Sequence, residues 1–165
     1  MSDILVLDTA RGPVTLRPEQ ATDTDFLLVL FRSHMLNELA LMPVDDATKE
    51  ALVQMQFGSQ TTTYRGQYPD ARFDIVERDG EPIGRLIVDT ANNPGCIVDF
   101  ALMPDHRGGG LGTAILASVL ARQIQPVRCK VLCTNEPSIR MCRRIGFVEI
   151  SSALPFIQLE WHPVS

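Results

Sequence analysis

The sequence predicts an α/β fold of the α+β kind, a mixed sheet with helices on both faces, and three observations carry that prediction. Strand-like and helical segments interleave along the chain, hairpin meanders occupy its middle, and no linker interrupts the order. At 165 residues the chain fits a single domain, residues 1–165, burying roughly two thirds of the surface its unfolded form exposes.

Each element has its own signal. Residues 4–7 and 14–17 read as short strands around the turn Arg11-Gly12-Pro13. Thr22-x-x-Asp25 reads as a capping box, after which Phe26, Leu27, Leu30, Phe31 and Met35 recur at helical spacing. A second helix starts near Asp46 and stops before Tyr68-Pro69, its latter part unusually polar. Residues 73–77, the Asp79-Gly80 turn and residues 83–88 form a hairpin, with 96–103 as the next strand. A helix is expected over 112–124, ended by Pro126, then a strand over 127–133. Another helix runs from about Asn135 to Ile145 and closes on Gly146, and strands 147–150 and 156–161 complete the chain.

Composition is that of a globular protein, 45% hydrophobic and 21% charged. The longest apolar run, Phe26 to Phe31, is far shorter than the ~20 residues a membrane span needs. Asp3 and Asp8 stand where a signal peptide carries positive charge, so a cytoplasmic location is expected. Cys96, Cys129, Cys133 and Cys142 lack zinc-ligand spacing, so free thiols and no metal are expected. The net charge of −5 gives no reason to expect nucleic acid. Its distribution is uneven: residues 101–147 hold seven basic residues against two acidic ones, and the remainder eight against eighteen. A polyanion is drawn to the first segment and a cation to the second.

The most informative stretch is MPDHRGGGLGTAIL, residues 103–116, in which three glycines follow Arg107 and run into a helix. Backbone stripped of side chains at a helix N-terminus suits a phosphate, because unpaired N–H groups and the helix dipole converge there. A Rossmann turn is excluded, since Thr113 stands where its third glycine belongs, and a Walker loop is excluded by the lack of a lysine. What remains is Arg107-x-x-Gly110-x-Gly112 between a strand and a helix.

That motif resembles the acyl-CoA-binding motif of the GNAT superfamily of N-acetyltransferases. The segment Asn135-x-x-Ser138-x-x-Met141-Cys142-x-x-x-Gly146-Phe147 resembles the superfamily's second motif, and the two cover about fifty residues in the correct order. The resemblance implies a mostly antiparallel sheet, splayed at its middle between the strand ending at Met103 and the one beginning at Val127. It also implies acetyl-CoA as acyl donor and direct transfer of an acetyl group to a primary amine of a small molecule or peptide. The donor would be held by Arg107, Gly108, Gly109, Gly110, Leu111, Gly112 and Thr113, by the main chain of Leu102 and Met103 in the strand Phe100 to Met103, and by Asn135 and Ser138.

Acetyl transfer needs a neutral amine, an oriented carbonyl and a proton for the departing thiolate. The superfamily usually takes that proton from a tyrosine, and the matching position here is Cys142. Asn135, Ser138 and Cys142 share one helical stripe, with Arg140, Arg143 and Arg144 turned elsewhere. A thiol is a weak donor and shorter than a phenol, and a buried free cysteine often serves as a small hydrophobe. Ser138, a water or Tyr64 are therefore the substitutes. Asp99, close to the splay, is the first candidate base, with His34 and Glu77 behind it. The polar stretch of Gln54, Gln56, Gln60, Thr61 to Thr63 and Tyr64 falls where the superfamily closes its acceptor pocket, and the acidic remainder of the chain favours a small cationic amine. Exposed apolar strands near the C-terminus suit a homodimer. The rival readings are an acyl-CoA-binding protein of weak or no activity, prompted by Cys142, and a nucleotide-binding module.

Overall fold

The computed structural model describes residues 3–165 and shows one eight-stranded sheet with helices on both faces. A hairpin of β1 (Leu5–Thr9) and β2 (Gly12–Pro18) leads into α1 (Thr24–Leu41) and α2 (Asp46–Gln67). A meander follows, made of β3 (Arg72–Arg78), β4 (Glu81–Asp89) and β5 (Gly95–Leu102). Then come α3 (Leu111–Leu120), β6 (Val127–Leu132), α4 (Glu136–Ile145), β7 (Val148–Ala153) and β8 (Phe156–Trp161). The strand order is β1-β2-β3-β4-β5-β6-β8-β7, and only the β5–β6 pair is parallel.

Alternation along the strands sends side chains to two cores. On one face Leu16, Val76, Leu86 and Leu159 pack with Ile115, Leu116 and Leu120 of α3, and with Cys142 of α4. On the other, Ile75 packs with Leu27 and Leu30 of α1, while Met35, Leu39 and Val53 join α1 to α2. Gly84 allows β4 and β5 to approach closely, since a Cβ there would collide with the Ala101 carbonyl. Among the described residues no helix is long and apolar enough to cross a membrane.

Two expected boundaries move. The capping box lies two residues upstream of Thr22 and Asp25: Asp23 accepts from the Gln20 amide at 2.8 Å and, through both oxygens, from Arg17 at 2.8 Å. Asp23 is drawn there because Arg17 forks it, and the same pairing holds its carboxyl below the usual range. Helix α3 ends at Leu120, four residues earlier than the apolar period suggests. Its last turn tightens, with Arg122 bonding back to Val119 and Gln123 to Leu120, and this leaves Ile124 exposed.

The sheet opens at its centre. β5 and β6 pair only at Gly95–Val127, Cys96–Arg128 and Ile97–Cys129. Beyond them β5 stays with β4 as far as Leu102 and β6 stays with β8 as far as Leu132, so the two strands part from Val98 and Lys130 onward.

Candidate active site

The glycine turn sits at the open end of that splay. Gly108 and Gly110 take left-handed backbone, φ +81° and +84°, which favours glycine at both positions. Gly110 caps α3 with no side chain, and the first helical bond runs from the Ala114 amide to the Gly110 carbonyl at 3.0 Å. The N–H groups of Leu111, Gly112 and Thr113 precede that bond and have no helical partner. A Cβ on Gly108 or Gly109 would meet nothing within 4 Å, so open space lies over the turn.

That space is a groove of about 350 Å³ between the turn, the end of β5 and one face of α4. Its charged lining is cationic, Arg107, Arg140 and Arg144 with no carboxylate, and His34 and His106 stand beside them. Arg140 and Arg144 thus face the groove rather than away from it as expected. Pro137, Arg140, Met141 and Arg144, at i, i+3, i+4 and i+7, form the helix face that meets it. Arg11, which sequence reasoning passed over, adds a further cation, because a Cβ on Gly110 would lie 3.1 Å from its Nη2.

Arg107 is turned back toward α1. Its Nε donates to the Leu102 carbonyl at 2.8 Å, and its Nη2 lies 3.1 Å from both Ser33 Oγ and His34 Nε2. Crowding by the surrounding protein and the Arg107 charge hold His34 below the usual histidine range. The Met103 amide is already bonded to the Ile83 carbonyl at 2.7 Å. By the alternation of an antiparallel ladder, the groove-facing backbone of β5 is therefore that of Leu102 and Phe100 rather than Met103. The Leu111 side chain is buried in the core, leaving only its amide at the turn. The Asn135 side chain caps α4, accepting from the Ser138 amide at 3.3 Å, so its sequence signal is met by a helix cap.

Between the parted strands lies a second cavity of about 240 Å³, sharing Phe100, Ser138 and Met141 with the groove. Tyr64, Asp99, Asn135, Ser138 and Cys142 all line it, so the splay brings together residues from α2, β5 and α4. Ser138 is the one candidate donor reached from both cavities. Cys142 is 4% exposed, and its sulfur lies 3.9 Å from Cys129 Sγ. The contact with Cys142 and burial push the Cys129 thiol up. Tyr64 is pushed up to about 12 by burial and the Asp99 charge, and its hydroxyl accepts a 3.4 Å bond from Gln60 Nε2.

Asp99 is held by Arg85, a residue the sequence reading missed. Nε and Nη2 of Arg85 both donate to Asp99 Oδ2, at 3.1 and 2.5 Å, and Nη2 also reaches Gln60 Oε1 at 2.9 Å. The guanidinium carbon stands 5.9 Å from the Tyr64 ring centre. Glu77 lines neither cavity, because Arg17 takes it into the ion group that also holds Asp23. Its candidacy as a base falls on that ground. Among the described residues no three metal-ligating side chains cluster.

Residues 41–147 match the family model described as the Acetyltransferase (GNAT) family. The chain belongs to the GNAT acetyltransferase family. No curated protein sequence matches it, whereas many solved structures share the GNAT fold. The PaiA N-acetyltransferase from Thermoplasma acidophilum in complex with coenzyme A superposes with a TM-score of 0.67 at 15% identity, over 89% of this chain and 97% of that one. An acetyltransferase from Thermus thermophilus gives 0.64 at 21% identity, over 90% and 96%. Mycobacterium smegmatis RimJ in complex with CoA-disulfide gives 0.62 at 20% identity, over 96% and 86%. Cys142, which the motif resemblance sets against the superfamily's usual tyrosine, is packed into the core.

Proposed function

We propose that this chain is an acetyl-CoA-dependent N-acetyltransferase acting on a primary amine of a small molecule or peptide by direct transfer. The observation that carries the reading is the continuity of the open, cationic glycine groove with the cavity between β5 and β6. The unfilled space over Gly108 and Gly109 and the unpaired amides of Leu111 to Thr113 fit a diphosphate, with Arg140, Arg144 and Arg11 supplying charge. Two of the solved relatives carry coenzyme A or its disulfide, which supports the same donor here.

Bound acetyl-CoA would supply an activated thioester. The chain's own groups do the rest. Groove-facing backbone of Phe100 and Leu102 orients the donor's arm, and the strand separation admits it between the sheet's two halves. Asp99 Oδ1, which has no hydrogen-bond partner among the described residues, receives a proton from the amine through water. Tyr64 offers its hydroxyl to the departing sulfur, and its raised pKa keeps that hydroxyl protonated. Ser138 is the second donor in reach. Cys142 contributes packing.

The packing of Cys142 against Cys129 also favours a second reading, a GNAT-fold protein that binds acyl-CoA with little or no transfer. Release of free thiol from acetyl-CoA, followed against a panel of amines, decides between them. Turnover with at least one amine supports the transferase; silence across the panel with intact acetyl-CoA binding supports the binding protein.

A further inference from the structure

The Arg85 side chain is 9% exposed, on a sheet face where its cross-strand neighbours are Ile75 and Ala101. A buried guanidinium has five N–H donors to satisfy. Here the bonds go to two atoms, Asp99 Oδ2 and Gln60 Oε1, through Nε and Nη2. Nη1 has no hydrogen-bond partner among the described residues and is not fully sealed from solvent. Asp99 Oδ1 is in the same condition, without a partner yet not sealed. One ion pair thus presents a spare donor edge and a spare acceptor oxygen. Asp99 and Tyr64, which hold and flank the guanidinium, both line the cavity between β5 and β6.

The local charge points the same way. Two guanidiniums, Arg85 and Arg107, and a single carboxylate, Asp99, act on His34 at this corner. A bare cationic amine would meet Asp99 but leave Arg85 Nη1 unpartnered.

We infer that the acceptor is a primary amine that also bears a carboxylate, its carboxylate seated on Arg85 Nη1 and its amine directed to Asp99 Oδ1. This rests on the acetyltransferase reading and specifies its acceptor. The charge-assisted bond from Arg85 fixes the anion, and the fixed anion delivers the nitrogen to the carboxylate that relieves it of a proton. Gln60 is a positioning residue, holding the guanidinium from the α2 side.

The test compares matched acceptors with the wild-type protein and acetyl-CoA: L-leucine with 3-methylbutylamine, L-phenylalanine with 2-phenylethylamine, and L-lysine with 1,5-diaminopentane. The amino acid is expected to exceed its decarboxylated partner in kcat/KM by roughly tenfold or more in at least one pair, and Arg85→Gln to collapse that ratio. An ion pair of purely structural role would leave the ratio near one. Equal or better use of the decarboxylated partner in every pair overturns the inference, as does failure to use any member while calorimetry shows acetyl-CoA bound. Absence of acetyl-CoA binding removes the underlying acetyltransferase reading instead. The wild-type ratio stands whether or not Arg85→Gln folds.

Discussion

Cys142 Sγ lies 3.9 Å from Cys129 Sγ, joining α4 to β6 through two buried thiols. Cys142, read from the motif resemblance as the counterpart of the superfamily's tyrosine, is therefore paired inward, in a core that also holds Phe147 and Leu159. A thiol turned toward another thiol fills space, and the hydroxyl that faces the splay cavity from α2 is that of Tyr64.

Substitution separates these two roles. Cys142→Ala is expected to keep turnover within about threefold while lowering stability by about 1 kcal/mol, the scale of removing one buried heavy atom. Tyr64→Phe is expected to lower kcat by roughly 10² or more. Steady-state kinetics and thermal melts of both variants check this, and the opposite pattern assigns proton donation to the thiol.

The glycine turn makes a second pair of expectations. Gly109 has ordinary backbone and open space beyond it, so Gly109→Ala should leave stability unchanged or raise it by about 0.5 kcal/mol. If that space is where the diphosphate lies, the same variant should weaken acetyl-CoA binding about tenfold. Gly110→Ala should destabilise by about 1 kcal/mol, because φ +84° strains any L side chain and Arg11 already lies against the site. Melting curves and calorimetric titrations of the two variants read both quantities.

Tyr64 predicts a pH effect whose sign follows from its raised pKa. Unfolded tyrosine loses its proton near 10.0, whereas Tyr64 in the folded chain holds it to about 12. Between those values the folded state binds more protons, so stability is full below pH 10 and falls as pH rises toward 12. Chemical unfolding across that range should show the decline, and Tyr64→Phe should lessen it, with Tyr68 left to contribute in the same direction. Burial raises Tyr68 as well, so absorbance titration should show two late phenolate transitions, of which the variant lacks one.

Arg140 and Arg144 stand exposed on the groove, so their pull on an anionic donor is open to screening. Arg144→Glu is expected to raise the KM for acetyl-CoA about tenfold at low salt, with the difference shrinking as salt rises. A salt series of initial rates measures it.

Features governed by a local rule are legible in the sequence. The Gly146 cap, the succession of strands and helices along the chain and the turn from Arg107 to Thr113 each depend on residues within a few positions, and the structure has them. Partners that meet across the sheet are not legible in this way. Nothing near Arg85 in the chain announces Asp99 fourteen residues on or Gln60 from another element, and Arg11 reaches Gly110 only through the β1–β2 turn. Asp23 and Glu77 escape prediction for the same reason, since Arg17 gathers both from a distance. The face of α4 differs from expectation because the stripe through Asn135, Ser138 and Cys142 straddles two surroundings: Asn135 caps, Ser138 reaches both cavities and Cys142 enters the core.

Calorimetric titration of acetyl-CoA into the purified chain reads out the diphosphate cradle of the glycine turn itself. Heat of binding is expected with a Kd between about 1 µM and 1 mM, the usual range for enzyme substrates, and a marked loss of affinity in Gly109→Ala at a melting temperature unchanged or slightly raised. No detectable heat at millimolar ligand from a folded protein would contradict it.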